Sequence, residues 1–484
     1  MPLELKKIDK QKVGFFQFKR LNGQYLLTNV IGDYIFLKPS SFDAYLCGKI
    51  EQTSPQEYSE LQNKGFIRSQ LDFDSLAQRY ARKNMFLSNG GPSLHIVVVT
   101  LRCDHRCVYC QAGSQDYKAK ELDMDIATAE KVVDIIFESP NKNITIEFQG
   151  GEPLINFETI KFIVKYAQKK NKEAKKDLMF TVVSNLTFIN EKIVKFLLEN
   201  RIHICTSLDG PEKLHNKCRI ALGNKNSYKH TVKWLKILKI EYKKKKLPFK
   251  PSALATITRF SLPYAKEIIN EYGKLRLKEV HLRPLSPFGT NRKLGDALAF
   301  SAREFIAFYK QALDYIIDLN MAGKDFCERS AAIFLTKILT DKDPDYLDLR
   351  SPCGAGIGQL AYNFNGDVYT CDEGRMLSRV GDESFRLGNV KENSYQDISS
   401  SEIVKTLGIA SCLDNLSGCS QCVYKPYCGI CPLYNYAIKG NLFNNAAFPC
   451  EIKKAILDYL FIKLEDKKIK NIFYKWVTKR SNDE

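Results

Sequence analysis

The sequence has no long hydrophobic run and no apolar N-terminal segment. Its longest clearly apolar strand-like stretch is about eight residues, which is too short to cross a bilayer. The first residues, Met-Pro-Leu-Glu-Leu-Lys-Lys, include no apolar core of the kind found in a secretory signal peptide. These absences argue against a membrane or secreted protein, and we expect a cytoplasmic one.

Acidic residues are fewer than basic ones, 55 against 73, which gives a formal net charge of +18. Such an excess of positive charge can favour binding of nucleic acid or of an acidic peptide. Here the basic residues are spread through helical segments, and the one local run, Lys243 to Lys246, is typical of a solvated helix end. Nucleic acid is therefore an unlikely partner. The apolar fraction of 44% is that of an ordinary globular protein, and 484 residues can form two or three domains.

Cysteine, in contrast, is abundant, with fifteen residues. Disulfides are rare in reducing compartments, so metal or cluster ligation is the better explanation for a chain without a signal peptide. Three cysteines lie between 103 and 110 and eight between 353 and 450. The other four are isolated and are interpreted as small buried apolar residues: Cys47, Cys205, Cys218 and Cys327.

Cys103, Cys107 and Cys110 follow an apolar strand-like run, Leu94 to Leu101, at the spacing C-x3-C-x2-C. Three thiolates can hold three irons of a 4Fe–4S cubane and leave the fourth iron open to a cofactor. Zinc is the alternative, but zinc sites favour paired C-x2-C units with a second pair or with histidines. The motif resembles the signature of the radical S-adenosylmethionine (SAM) family, in which the open iron chelates the amino and carboxylate groups of SAM.

Strand-like and helix-like segments alternate between about residues 91 and 325. Helical periodicity covers, for example, Ile126 to Phe137 and Phe157 to Gln168. This alternation predicts an α/β domain with a parallel sheet, and six units indicate a partial (β/α)6 barrel, which the resemblance also implies. The chemistry of parallel barrels lies at the C-terminal ends of the strands. The predicted strands are 94–101, 144–148, 179–184, 202–208, 252–257 and 278–283.

The residues that would contact SAM follow these strands. By the resemblance, the turn Gly150-Gly151-Glu152-Pro153 contacts the SAM amino group and Tyr109 packs near the adenine. Ser184 and Asn185 could bond the ribose or the carboxylate. The full candidate set is Tyr109, Gly150, Gly151, Glu152, Ser184, Asn185, Ser207 and Arg219.

Arg219 lies downstream of the run Ser207-Leu208-Asp209-Gly210-Pro211, a pattern that resembles the peptide-modifying branch of the family. A guanidinium there could pair with the SAM carboxylate in fork geometry. The alternatives are a solvent-facing arginine and an aspartate, Asp209, that caps the next turn.

Eight cysteines in the C-terminal region are enough for two 4Fe–4S clusters with four thiolates each. The order C-x2-C-x5-C-x2-C followed by a distant cysteine resembles the SPASM extension of radical SAM maturases. By that resemblance, one auxiliary cluster is held by Cys419, Cys422, Cys428 and Cys450. Three corners of the other are Cys353, Cys371 and Cys431. Cys412 is the substitute for a missing fourth ligand; without it, that cluster has an open iron that could bind substrate. Zinc is the alternative in either site.

Asp372 follows Cys371 directly and is the candidate general base. The resemblance to sulfatase-maturing enzymes implies that an aspartate here takes a proton from the substrate, and a carboxylate beside a cluster suits that task. A structural capping role is the alternative, and Glu373 could pair with Arg375. Asn365-Gly366 predicts a two-residue hairpin turn. The run 281–284, His-Leu-Arg-Pro, could line the substrate opening.

Residues 1–90 predict a small winged-helix-like domain. Asn22-Gly23 predicts a hairpin turn between alternating runs. Ser41 is the expected cap of a first helix, and a second helix from Ser54 to Lys64 should end at Gly65. The outline resembles the peptide-recognition domains of maturases, which bind a leader peptide by strand addition. A structural cap is the alternative; a DNA-binding domain is disfavoured because no second helix is densely basic.

The predicted domains are therefore 1–90, a barrel over 91–325, a SPASM domain over 326–452 and a closing helix over 453–484. The chain is identified as a member of the radical SAM/SPASM peptide maturases and most resembles those of His-Xaa-Ser peptide systems. The resemblance implies an oxidoreductase that uses a 5′-deoxyadenosyl radical to crosslink or oxidise a peptide residue. It further implies a flavodoxin or ferredoxin as electron donor and, as a candidate, a partner maturase. The alternatives are a sulfatase-type formylglycine maturase and an RNA-modifying enzyme.

Overall fold

The computed structural model describes residues 8–87, 90–288 and 295–483. Strands β1 to β16 span Gln17–Leu21, Gln24–Thr28, Tyr34–Leu37, Leu94–Thr100, His105–Cys107, Asn143–Gly150, Asp177–Ser184, His203–Ser207, Arg219–Ala221, Ser252–Ile257, Glu279–Val280, Leu282–Pro284, Cys327–Glu328, Gln359–Tyr362, Asp367–Tyr369 and Arg386–Asn389. Helices α1 to α20 span Pro39–Leu46, Ile50–Thr53, Pro55–Asn63, Phe73–Lys83, Ile126–Glu138, Phe157–Ala174, Glu191–Glu199, Glu212–Cys218, Ser227–Lys244, Ala265–Lys274, Gly295–Leu298, Ala302–Met321, Arg329–Leu339, Asp372–Ser378, Tyr395–Ser399, Glu402–Ser411, Ser417–Ser420, Pro432–Lys439, Ala447–Lys463 and Lys467–Asp483.

The N-terminal strands form an antiparallel sheet in the order β1-β2-β3, followed by short helices. The turn at Asn22-Gly23 is confirmed, since both residues have positive φ, 49° and 80°, as a two-residue hairpin turn requires. The third strand extends the predicted hairpin. The whole unit encloses its own small apolar core, which includes Phe42, Tyr45 and Leu61.

The first helix begins earlier than the sequence suggested. Its N-cap is Lys38 and its first residue is Pro39, so the prediction of a serine cap at Ser41 is wrong. Proline is favoured at a first helical position because it has no N–H to leave unsatisfied. The end of α3 at Gly65 is confirmed by a φ of 72°.

The centre of the molecule is a nine-stranded sheet in the order β12-β10-β8-β7-β6-β4-β14-β15-β16. Six of its strands, from β4 to β12, run parallel and alternate with helices, which confirms the partial barrel. Along β6, Ile144, Ile146 and Phe148 pack with the helical layer. The alternation of side chains in a strand therefore turns Glu147 and Gln149 to the concave face.

The C-terminal region adds to the same sheet. β14 pairs in parallel with β4, with Gln359 opposite Leu94 and Tyr362 opposite Val97, and β15 and β16 follow antiparallel. The hairpin after β14 differs from the predicted two-residue turn. The Asn363 amide donates to the Asp367 carbonyl at 2.8 Å, so the loop contains residues 364–366, and Gly366 adopts the positive φ of 92°.

Two helices, rather than the single closing helix expected over 453–484, end the chain. α19 packs against α12 and α20 packs against α13. Between them, the Asp466 carboxylate accepts hydrogen bonds from the amides of Lys468 at 2.7 Å and Ile469 at 3.2 Å, which caps a new helix. None of the helices in the described residues combines the length and apolarity needed to cross a membrane.

An aromatic contact joins the N-terminal domain to the C-terminal region. The buried ring of Phe461 on α19 lies 5.0 Å from that of Tyr34 and 5.5 Å from that of Tyr427, centroid to centroid. Arg79 of α4 adds an ion pair of 2.7 Å to Asp33 and one of 2.9 Å to Asp341. The N-terminal domain is therefore fixed to the rest of the chain by both packing and charge.

We predict that Phe461→Ala lowers the free energy of unfolding by about 3–5 kcal/mol, the usual cost of emptying a buried aromatic site. The matched control is Ile462→Ala, because Ile462 is the next residue of the same helix and is 37% exposed. Urea denaturation of the purified protein measures both. Equal, small losses in the two variants would contradict the role given to this contact.

Candidate functional site

The first three cysteines occupy the loop that follows β4. The Cys103 amide donates to the Gln115 carbonyl at 3.3 Å, and the Cys110 amide to the Cys107 carbonyl at 3.0 Å. Within the loop, β5 pairs with β9, which sets Cys107 opposite Arg219. The loop thus brings three thiols to the C-terminal end of the first barrel strand, where a parallel barrel carries its chemistry.

The environment of these thiols suits a cluster. Burial raises the pKa of the Cys103 thiol well above its usual value, and the neighbouring Cys107 adds to that effect. Burial also raises the pKa of Cys107 to about 12. Thiols that resist ionisation need a bound cation to become thiolates. The three cysteine thiols of this loop are the donor set of a 4Fe–4S cluster with one open iron.

Asp104 and His105 are buried within this loop, and reasoning from the sequence missed them. The ligand atoms of Cys103, Asp104 and His105 lie within 4.8 Å of one another. The His105 ring is 3.0 Å from the Asp104 carboxylate through Nδ1 and 2.8 Å from the Ser227 hydroxyl through Nε2. The Asn185 amide donates to Asp104 at 3.1 Å. These contacts fix the loop. The signal in the sequence that could have revealed them is the adjacent ionisable pair Asp104-His105 between two cysteines of the motif.

The two glycines of the Gly-Gly-Glu-Pro turn are required by close packing. A Cβ on Gly150 would lie 2.1 Å from the Thr100 carbonyl oxygen, and one on Gly151 would lie 2.3 Å from that of Arg102. The backbone of the turn therefore presses against the end of β4, as only glycine allows. The Glu152 amide completes the contact by donating to the Arg102 carbonyl at 2.8 Å.

Glu152 joins the ends of three neighbouring strands. Its buried carboxylate accepts hydrogen bonds from the Ser184 hydroxyl and from the backbone N–H of Asn185, both at 2.7 Å. Burial raises the pKa of Glu152 to about 7, although these hydrogen bonds oppose the shift. The Ser184 hydroxyl is thus directed at Glu152, whereas the Asn185 side chain is directed at the cysteine loop. A contact of either with SAM stays a prediction.

Arg219 is held by Asp209. The Arg219 Nε lies 3.1 Å from the Asp209 carboxylate, which also accepts from the Tyr109 hydroxyl at 2.5 Å. A further guanidinium nitrogen lies 3.9 Å from the Cys107 sulfur. Asp209 is therefore an internal partner and does not cap the next turn. Ser207 ends β8 opposite Leu254 of β10.

In the C-terminal region, Cys353, Cys371 and Cys431 lie together in one apolar cluster. Burial is the main cause that raises the pKa of each thiol, and the negative charge of Glu373 raises all three pKa values further. Cys412 stands apart from this group. It is half-exposed at the end of α16, and its neighbour Ser411 accepts the Cys353 amide at 2.9 Å.

The other four cysteines of the region surround a small cavity of about 60 Å³. They are Cys419, Cys422, Cys428 and Cys450. The Asn445 amide donates to the Cys419 sulfur at 2.9 Å. Cys431 lines the same cavity, so the group of four adjoins the group of three. Which cysteines share a cluster stays a prediction.

Asp372 lies between the two cysteine regions. Its carboxylate accepts from Arg375 Nε at 2.7 Å, and Arg375 Nη1 donates to the Ala112 carbonyl of the first cysteine loop at 3.2 Å. The expected pair of Glu373 with Arg375 is wrong, because Arg375 is bound to Asp372. Glu373 instead lies 3.6 Å from Arg283.

A cavity of about 150 Å³ opens between the end of β12 and Cys431. The run 281–284 lines it, together with the acidic residues Glu373 and Asp348 and apolar residues such as Phe448. Its position beside the group of three cysteines makes it the candidate substrate chamber.

Glu147 of β6 is a second carboxylate that sequence reasoning missed. It accepts from the Gln149 amide at 2.6 Å and from the Thr181 hydroxyl at 3.1 Å. Burial raises its pKa, and Asp372 is close enough to contribute to that shift. The available signal was a charged residue among the apolar positions of a barrel strand.

Comparison with known proteins matches both halves of this site. A radical SAM superfamily model matches residues 97–246, and a SPASM model, described as an iron-sulfur cluster-binding domain, matches residues 353–431. An uncharacterized protein of Methanocaldococcus jannaschii is 32% identical over 59% of this chain and 87% of its own length. A cysteine-type anaerobic sulfatase-maturating enzyme of Clostridium novyi is 24% identical over 69% of this chain and 86% of its own.

Solved structures show the same fold. The structure described as native anSMEcpe with bound AdoMet, another name for SAM, has a TM-score of 0.65 at 18% identity and covers 79% of this chain and 99% of its own. Streptococcus suis SuiB bound to precursor peptide SuiA has a TM-score of 0.53 at 15% identity and covers 90% and 97%. These matches agree with the cysteine geometry, and the chain belongs to the radical SAM superfamily as an enzyme that uses SAM and 4Fe–4S clusters and carries a C-terminal SPASM domain.

Proposed function

We propose that this enzyme is a maturase that modifies a ribosomally made peptide or protein after hydrogen abstraction from one of its side chains. The observation that carries the proposal is the juxtaposition of the first cysteine loop, Asp372 and the group of three cysteines at the mouth of one barrel. Arg375 links them, since it contacts both Asp372 and Ala112. A site that abstracts hydrogen and then removes a proton and an electron needs these parts side by side.

In this proposal Cys103, Cys107 and Cys110 hold the cluster that binds SAM, and the two C-terminal groups hold auxiliary clusters. When bound, the cluster and SAM supply a 5′-deoxyadenosyl radical that takes a hydrogen atom from the substrate. Tyr109, Arg219 and the turn 150–152 bind and orient SAM. The apolar wall of the 150 Å³ cavity holds the substrate side chain and excludes water.

Asp372 is the proposed base. Its partner Arg375 is buried and holds the carboxylate in place. Asp372 is adjacent to Glu373, which lines the chamber, and its carboxylate can receive the proton that the substrate loses after hydrogen abstraction. The two C-terminal cysteine groups would hold the auxiliary clusters that accept the electron lost by the substrate, and a flavodoxin or ferredoxin is the proposed electron donor to the enzyme. Such chemistry requires reduced thiols, so we propose a cytoplasmic enzyme.

The N-terminal sheet is the proposed dock for a leader peptide. β1 is an edge strand of that sheet, and the nearby side chains of Phe15 and Phe18 are 60% and 53% exposed. An edge strand with exposed aromatic side chains suits an added peptide strand. Tethering the leader there raises the effective concentration of the peptide at the chamber. A His-Xaa-Ser type precursor is the proposed substrate.

A sulfatase-type formylglycine maturase is the second candidate. It is favoured by the relative from Clostridium novyi, whose similarity covers 86% of that enzyme. This candidate needs the same clusters and the same base, but its substrate requires no leader. Substitutions at β1 therefore distinguish the two.

We predict about twelve irons per chain in anaerobically reconstituted protein, four for each of three clusters. Cys103→Ala should lower the count to about eight and abolish 5′-deoxyadenosine formation with SAM and dithionite. Cys47→Ala is the matched control, since Cys47 lies in the N-terminal domain away from the other cysteines. Iron and sulfide analysis with chromatography of the products measures the outcome; retained cleavage in Cys103→Ala would contradict the assignment.

We predict that Asp372→Asn still forms 5′-deoxyadenosine but loses at least tenfold in modified peptide, because hydrogen abstraction precedes the loss of the proton. The substrates would be synthetic precursors encoded by short reading frames beside the gene and a cysteine-containing sulfatase peptide, followed by mass spectrometry. Glu402→Gln is the control, because Glu402 is exposed and pairs only with Lys405 among the described residues. An unchanged peptide yield would remove Asp372 from the mechanism.

We predict that Phe18→Glu raises KM roughly tenfold for a precursor with its leader, as expected when an aromatic anchor is lost, and leaves kcat nearly unchanged. Phe73→Glu is the control, since Phe73 is also exposed but lies on α4. Steady-state kinetics with and without the leader measures the difference. Equal KM values for the two variants would favour the sulfatase-type function.

A further inference from the structure

The group of Cys353, Cys371 and Cys431 supplies three thiols, whereas a 4Fe–4S cluster has four irons. The auxiliary cluster in this position belongs to the proposed function, and the present inference rests on it. The question is which group of this chain faces the fourth iron. Three side chains near the group are candidates: Cys412, Asp348 and Glu373.

Cys412 fits poorly. Its burial is intermediate, like that of Cys431, but its backbone lies in a tight turn in which the Asn415 amide donates to the Cys412 carbonyl at 3.0 Å. It does not line the cavity that contains Cys431. It is also not among the charged or ionisable groups that contribute most to the raised pKa values of the three thiols.

Asp348 is nearer to the group but is engaged elsewhere. Its negative charge contributes to the raised pKa of the Cys353 and Cys431 thiols. Its carboxylate lies 3.1 Å from the Lys453 ammonium. A carboxylate paired at that distance has its charge compensated, so Asp348 needs no iron to satisfy it.

Glu373 is the best placed of the three candidates. It lies two residues after Cys371 in the first turn of α14, and it lines the same cavity as Cys431. Its negative charge contributes to the raised pKa of all three thiols, so it lies near each of them. Its carboxylate therefore lies close to the group of three cysteines, at the cavity that Cys431 also lines.

The partner of Glu373 leaves its carboxylate available. Among the described residues its ion pair is with Arg283, at 3.6 Å, longer than the 2.7–2.9 Å or so of a charge-assisted hydrogen bond. The adjacent Asp372 is bound by Arg375 at 2.7 Å. The Glu373 side chain is 19% exposed, and a mostly buried carboxylate whose cationic partner is 3.6 Å away gains from a second cation. Iron in a cluster is such a cation.

We propose that the carboxylate of Glu373, rather than the thiol of Cys412, is the fourth protein ligand of the cluster held by Cys353, Cys371 and Cys431. The ligand set is then three thiolates and one carboxylate. The long contact to Arg283 leaves one carboxylate oxygen for the iron while the other remains near the guanidinium. The fourth iron is closed to substrate in this arrangement.

The test uses full-length protein in which Cys103, Cys107 and Cys110 are replaced by alanine, so that the auxiliary clusters alone are observed. Into this background go Glu373→Ala, Glu373→Cys and, as the matched control, Cys412→Ala. Iron and sulfide counts, electron paramagnetic resonance of the reduced protein and the midpoint potential are measured. Each sample is then treated with 2-mercaptoethanol, a small thiol that binds an open iron.

We expect Cys412→Ala to match its parent in all three measurements. Glu373→Ala should show a changed resonance spectrum that responds to 2-mercaptoethanol, whereas the parent should not respond. Glu373→Cys should keep about eight irons and have a lower midpoint potential, because replacing a thiolate by another ligand raises the potential of iron–sulfur centres and the reverse change lowers it.

Three results would overturn the proposal. They are a perturbed spectrum in Cys412→Ala with an unchanged one in Glu373→Ala, a parent that already binds 2-mercaptoethanol, and a Glu373→Cys potential equal to that of the parent. If the parent holds only about four irons, the auxiliary cluster of the proposed function fails as well. That outcome is separate, because it appears before any change is made at Glu373.

Discussion

The parallel pairing of β14 with β4 is the constraint on which the rest of the site depends. Because Gln359 to Tyr362 run beside Leu94 to Val97, the strand that leads to Cys103 and the hairpin that leads to Cys371 belong to one sheet. Backbone hydrogen bonds in a sheet tolerate little change of register, since a slip of one residue would turn every side chain to the other face. The two cysteine regions are therefore placed by the backbone, and the side chains only refine their positions.

Buried acidic groups then tie the loops to this sheet. Glu152 joins the ends of β6 and β7 through Ser184 and Asn185, and Asp209 joins Tyr109 to Arg219. Each carboxylate is costly to bury, so it persists only while its hydrogen bonds are made. This dependence makes the site rigid, because displacing one loop would leave a buried carboxylate without its partners.

Much of the fold and of the site could be predicted from the sequence, because the signals were local. Alternating apolar segments predicted the six parallel strands, and spacing alone separated the cysteines of the first loop from those near 419–431. What failed depended on contacts distant in sequence or on side-chain geometry. The partner of Arg375 could not be chosen between Asp372 and Glu373, which are adjacent residues, and the break between α19 and α20 depended on the capping by Asp466. Glu147 and the Asp104–His105 pair were missed because an ordinary strand and an ordinary loop can carry the same residue types.

The arrangement of charge around the chamber has a consequence for its chemistry. Asp372 is close enough to Glu147 and Glu373 to raise the pKa of both carboxyl groups. Arg283 pairs with Glu373 and Arg375 with Asp372. In a buried site such charges are screened little, so each one changes the energy of a proton or an electron near it. Arg375 binds the Asp372 carboxylate and at the same time anchors it to Ala112 in the first cysteine loop. The group that would receive a proton is thus fixed to the loop where the radical would arise, so hydrogen abstraction and proton loss can occur on a substrate carbon that does not move between the two steps.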